Sequence, residues 1–75
     1  MLADRVAELL AKAKSENLRN VQEVVTAEVE RELYSQAIRL AEGDQTKAAG
    51  WLGVSRPTMR EKLTRYGLRV AKDNA

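Results

Sequence analysis

Apolar residues recur along the chain at helical spacing, never at strand spacing. Leu2, Val6, Leu9, Leu10 and Ala13 keep a 3.6-residue period within an arc of about 100°. Asp4, Arg5, Glu8, Lys12 and Lys14 lie mainly elsewhere on that wheel, which predicts an amphipathic helix over about 2–14. Ser15 to Arg19 form a polar connector. Asn20 followed by Glu23 has the spacing of a capping box. It opens a long helix over about 21–41, closed by Gly43 near the usual left-handed C-terminal position. No stretch alternates with period two, and the β-branched residues do not gather into strand-like runs. The fold class is all-α.

The apolar face of the long helix changes partway. Val21, Val24, Val25 and Val29 cluster on one side, whereas Leu33, Ala37, Leu40 and Ala41 centre on roughly the opposite one, with Tyr34 and Ile38 beside them. A helix lying on a single layer keeps a single stripe, so two faces imply two packing partners. The first half is expected to meet the first helix and another subunit; the second half supports whatever follows Gly43. Neither Pro nor Gly interrupts residues 21–41, so a break is not the cause. The valines lower intrinsic helix propensity, and packing must hold that half. Glu28, Glu30 and Glu32 cannot share one face and read as solvation.

Beyond Gly43 the periods shorten. Asp44 caps a helix over about 45–52 whose inward face is Ala48, Ala49 and Leu52, and Gly53-Val54 interrupts it. Ser55 caps a further helix over about 56–66, with Pro57 tolerated in the first turn. Met59, Leu63 and Tyr66 form its inward edge and Gly67 ends it. Leu68 is expected to fold back, and residues 70–75 to form a flexible tail.

Composition narrows the field. At 75 residues the chain is one domain, and one this small buries only about 60% of its unfolded surface, so a partner chain is expected. It has no cysteine and no histidine, which removes disulfides, thiolate and imidazole metal sites, and nucleophile–histidine catalysis. Serines 15, 35 and 55 have no histidine base, and there is no phosphate-binding glycine loop. The expectation is a non-enzyme without cofactor or metal. With no membrane span or signal peptide evident, the compartment expected is the cytoplasm. Residues 1–42 carry six basic and eight acidic groups, residues 43–75 seven basic and three acidic. The attraction for a polyanion therefore lies in the C-terminal part.

The sharpest motif is helix-turn-helix, over residues 45–60. Ala48 and Ala49 allow close helix approach, Gly53 supplies the turn, Val54 plugs the space beneath it, and Met59 and Leu63 anchor the second helix. The start of that helix presents Ser55, Arg56, Thr58 and Arg60, where a recognition helix leads into the major groove and arginine can bond guanine bidentately.

Asp44-Gln45-Thr46-Lys47-Ala48-Ala49, Leu52-Gly53-Val54-Ser55-Arg56, Thr58-Met59-Arg60-Glu61-Lys62-Leu63 and Tyr66-Gly67-Leu68 together resemble the Fis-type DNA-binding domains. These include the Fis nucleoid protein and the C-terminal domains of NtrC-type sigma-54-dependent activators. The resemblance covers about residues 31–69 well. It implies a homodimer in which the first two helices of each chain build a four-helix core and each subunit offers one helix-turn-helix to double-stranded DNA. Residues 1–42 would then serve dimerisation and 43–69 DNA binding. Leu2, Val6, Leu9, Val21, Val24, Val25 and Val29 are the expected dimer interface.

By the same resemblance, groove and phosphate positions fall on Thr46, Ser55, Arg56, Thr58, Arg60, Lys62 and Arg65. Lys47 is a further phosphate contact or a solvated lysine. Lys62 lies nearer the buried edge and could simply snorkel past Leu63. Ser55 could be a cap alone, worth about 1 kcal/mol. Two positions depart from the family pattern. Glu61 stands where a base is common and is expected to pair with Arg65 one turn on. Gly50 replaces a larger apolar residue, while Trp51 beside it is expected to pack at the boundary of the core. The partner-contacting β-hairpin arm that the resemblance to the Fis protein implies is expected to lack a counterpart in these residues, which open with a helix. The reading that follows is the dimeric, sequence-specific DNA-binding module of a bacterial sigma-54-dependent activator, located at the nucleoid. The alternatives are a free-standing Fis-like architectural protein that bends DNA, and a helical oligomerisation domain that never touches DNA.

Overall fold

The computed structural model describes residues 1–68 and arranges them as four helices: α1 (Leu2–Glu16), α2 (Val21–Leu40), α3 (Gln45–Leu52) and α4 (Arg56–Arg65). Among the described residues there is no strand. The expected tail, residues 70–75, lies outside them.

Local chemistry accounts for most of the boundaries. Asp44 Oδ1 accepts from the Lys47 amide at 3.0 Å and Ser55 Oγ from the Thr58 amide at 3.2 Å, each satisfying an orphan donor in a first turn. Gly53 and Gly67 adopt φ of 74° and 65° just past the ends of α3 and α4. The next amides fold back, Val54 to the Ala49 carbonyl at 3.1 Å and Leu68 to the Leu63 carbonyl at 2.9 Å. Three boundaries differ from expectation, α4 by a single residue, since it ends at Arg65. α1 runs to Glu16, where Asn17 supplies the left-handed turn at φ 59°. α2 stops at Leu40, because Glu42 already turns left-handed at φ 53° ahead of Gly43. The capping box expected at Asn20 is not formed, since the Asn20 side chain makes no capping hydrogen bond. The backbone begins that helix alone, with the Val24 amide donating to the Asn20 carbonyl at 3.0 Å.

The core lies at one end of the molecule. Tyr34, Ala37, Ile38 and Ala41 of α2, Ala48 and Ala49 of α3, and Met59 and Leu63 of α4 form one buried cluster, with Leu52, Val54 and Leu68 packed at its margin. Ala48 and Met59 are wholly covered. Alanine at four of these eight positions lets α2 and α3 approach closely around one long, adaptable methionine.

Leu33 and Leu40 do not join this face as expected; both are exposed. At 100° per residue they sit about 20–40° from Val29 and about 40–60° from Ala37. Contact through alanines makes the buried stripe narrow, and the two leucines fall beyond its edge. The change of face is present, but the exposed stripe of Val29, Leu33 and Leu40 runs alongside the core for the whole second half of α2.

Among the described residues α1 packs against α2 and no other helix. Its Leu9 is buried, while Leu2 and Leu10 remain exposed. The result is a rod of 48 × 20 × 20 Å with a radius of gyration of 15.0 Å. A compact chain of this length would have about 11 Å. No helix among the described residues is long and apolar enough to cross a membrane.

Candidate nucleic-acid interface

α4 divides cleanly into a buried edge and an outward face. Met59, Leu63 and Tyr66 are buried. Arg56, Pro57, Arg60, Glu61, Thr64 and Arg65 line an open hollow on the outer side. Arg56 and Arg60, one turn apart, are exposed and have no intramolecular ion pair or hydrogen-bond partner through their guanidinium groups among the described residues. A pair of uncommitted guanidinium groups on one helical edge can bond a base and a phosphate together. Glu61 is held by Arg65, whose Nη2 donates to Oε2 at 3.0 Å, the intrahelical pair expected from their spacing. That pair neutralises the one acid on the face at the expense of occupying Arg65.

Thr46 and Lys47 are exposed at the start of α3. Ser55 is committed to its cap, and its hydroxyl also donates to Thr58 Oγ1 at 3.1 Å, so Thr58 is half-buried and engaged. Lys62 lies on the flank opposite Arg60. Its Nζ donates to Glu30 Oε1 at 2.8 Å, with the two side chains 18% and 25% exposed. Lys62 therefore does more than snorkel past Leu63: it is anchored to α2. Trp51 is 56% exposed and does not pack at the core boundary as expected. On α3 the inward positions are filled by Ala48, Ala49 and Leu52, which leaves the indole outside.

The glutamates of α2 overturn their reading as mere solvation. Glu28 receives Arg5 of α1 through Nε and Nη2, the shortest contact being 2.6 Å, and Arg5 also reaches Glu8 at 3.2 Å. Hydrogen bonding to Arg5 holds the Glu28 carboxyl below its ordinary value and pushes the guanidinium up. Glu30 accepts from both Lys62 and the Tyr66 hydroxyl, which hold its carboxyl down, and in return it raises the Lys62 ammonium. Glu32 accepts from Gln36 at 2.6 Å. Three neighbouring acids thus serve three directions, toward α1, toward α4 and along α2.

Elsewhere, Met1, Leu2, Arg5, Glu28, Val29, Glu32, Leu33 and Gln36 line an open groove between the start of α1 and the middle of α2. Of the expected dimer positions, Leu2 and Val29 are exposed on it, Val6, Val21, Val24 and Val25 are half-buried, and Leu9 is already covered within the chain. Leu33 joins this surface; its position one turn after Val29 was the available signal. Nothing in the sequence marked Glu30, whose partners lie 32 and 36 residues away. Among the described residues no group of acidic side chains could hold a metal ion.

Comparison with known proteins agrees with this geometry. Residues 26–66 match the family described as Bacterial regulatory protein, Fis family. The chain is 37% identical over 59 residues to DNA-binding protein Fis of Haemophilus influenzae (strain PittEE), covering 79% of this chain and 60% of that protein. The same figures hold for DNA-binding protein Fis of Aliivibrio fischeri (strain MJ11). The counterpart in Proteus mirabilis (strain HI4320) is 36% identical over 58 residues, 77% of this chain and 59% of the relative. The chain thus spans about three fifths of the length of the curated relatives it matches. No solved structure matches it significantly.

Proposed function

The chain belongs to the Fis family of bacterial regulatory proteins, and from that premise we propose that it binds double-stranded DNA as a homodimer. Residues 1–42 supply the dimer contacts and residues 43–69 the DNA contacts. The observation that carries the reading is the outward face of α4, where Arg56 and Arg60 are uncommitted and the nearby acid is neutralised by Arg65. Arg60 reads a base edge, Arg56 serves base or phosphate, and Thr46 and Lys47 meet the backbone from the start of α3. Two recognition helices in a dimer reach successive major-groove faces roughly 34 Å apart. The family description, bacterial regulatory protein, supports a regulator rather than an enzyme.

Of the two finer readings, the DNA-organising protein of Fis type is better supported than the module of a sigma-54-dependent activator, because the relatives named above are Fis proteins. Selection from random duplexes separates them. Loose enrichment with bent DNA supports the architectural protein, and one strong consensus supports the activator module.

The deciding experiment is a salt series of binding to mixed-sequence duplex, with Arg60→Ala measured on the selected site. Binding should fall steeply as salt rises. Arg60→Ala should cost about 1–3 kcal/mol on the selected site. Equal affinity of variant and parent there would remove Arg60 from base reading. A parent that binds no duplex even at low salt would leave the oligomerisation domain as the surviving reading.

A further inference from the structure

One carboxylate oxygen of α2 holds two groups of the recognition helix region. Glu30 Oε1 lies 2.8 Å from Lys62 Nζ and 2.6 Å from the Tyr66 hydroxyl. The adjacent residue acts on the same end of α4, with Arg31 Nη1 donating to the Tyr66 carbonyl at 3.0 Å and its guanidinium 5.8 Å from the Tyr66 ring centre. Lys62 is half-buried in this arrangement and does not line the outward hollow that Arg56 and Arg60 share. On the wheel it stands about 160° from Arg60. A cation on the recognition helix has thus been turned toward the protein.

We propose that Glu30 is a specificity-determining positioning residue, which keeps the Lys62 charge away from DNA phosphates and so lowers attraction to arbitrary sequence. The inference rests on the DNA-binding reading above. Lysine on a four-carbon stem at the flank of a recognition helix is a natural phosphate contact, and each such contact strengthens binding to every sequence alike. Pairing it with Glu30 removes that uniform term and leaves the base-reading arginines in place. The Tyr66 hydroxyl, on the same oxygen, fixes the carboxylate where the ammonium must come to it.

The test compares the salt dependence of binding to one mixed-sequence duplex for the full chain and four variants. Glu30→Gln keeps an acceptor for Tyr66 but frees Lys62. Its affinity should fall more steeply with salt, losing about 3.5-fold more between 50 and 200 mM for each lysine that reaches a phosphate. Lys62→Gln should keep the parent's slope, and the double variant should return to it. Glu32→Gln adds the same charge without freeing a lysine and should leave the slope as it was, so a purely structural or bulk-charge effect would not reproduce the pattern. A shallower slope for Lys62→Gln would place the lysine on phosphate already and overturn the inference. So would a Glu30→Gln slope equal to that of Glu32→Gln. If Glu30→Gln fails to fold by circular dichroism, Lys62→Gln still decides. A parent that binds no duplex at any salt would instead overturn the DNA-binding reading on which the inference stands.

Discussion

The two ends of this rod solve the problem of small size differently. At the C-terminal end, three helices close a core in which Met59 and Ala48 are wholly covered, and every helix boundary there is fixed by a side-chain cap or a left-handed turn. At the N-terminal end, two helices touch along one line and leave Leu2, Val29 and Leu33 exposed by roughly half of their surface, at 59%, 46% and 48%. The first region is complete within one chain. The second presents apolar surface around the polar tie of Arg5 with Glu28, and it is on this surface that the proposed dimer rests.

Three substitutions should break or sharpen this contrast. The largest effect belongs to Met59→Ala, which empties the centre of the closed core and should cost about 2–5 kcal/mol in chemical denaturation. A loss below about 1 kcal/mol would mean that the C-terminal core collapses around the gap and is less finished than it looks. Next comes Val29→Asp, which touches only the open end. Helical content should persist while sedimentation shows the dimer weakened by about 1.5–3 kcal/mol, the worth of one buried valine, and DNA affinity should fall with it. A dimer as tight as the parent's would move the interface elsewhere. The smallest is Gly50→Ala on the exposed side of α3. A methyl group there meets no atom within 4 Å, so the gain in helix propensity should raise stability by up to about 1 kcal/mol. An unchanged or lowered melting temperature would show that α3 is held by tertiary contacts alone.

Legibility in the sequence follows the same division. Around the helix-turn-helix the signals are local, and Asp44, Gly53, Ser55 and Gly67 act within a few residues of themselves, so α3 appears at its expected bounds and α4 within one residue of them. The Glu61–Arg65 pair was equally readable, being one turn apart. Asn20 carried a comparable signal and misled, because the backbone began α2 without it. Leu33 and Leu40 were misplaced because a wheel gives angles but not the width of the stripe that alanine contacts will bury. Glu30 was out of reach altogether. Its carboxylate belongs with Lys62 and Tyr66 only after α3 and α4 have folded back on α2, and no periodicity encodes that meeting.

The unbroken course of α2 has a mechanical consequence. Its 20 residues form a stiff arm of about 30 Å, with the proposed partner surface toward its first half and the packing that carries α4 in its second. In a dimer of the proposed kind joined at the first end, a rotation of 10° between the two arms would change the separation of the two recognition helices by about 5 Å. That exceeds the 3.4 Å rise of a base pair. Small changes of side-chain volume at Val25 or Val29, far from any base, would therefore act as a vernier on the distance between the two DNA half-sites.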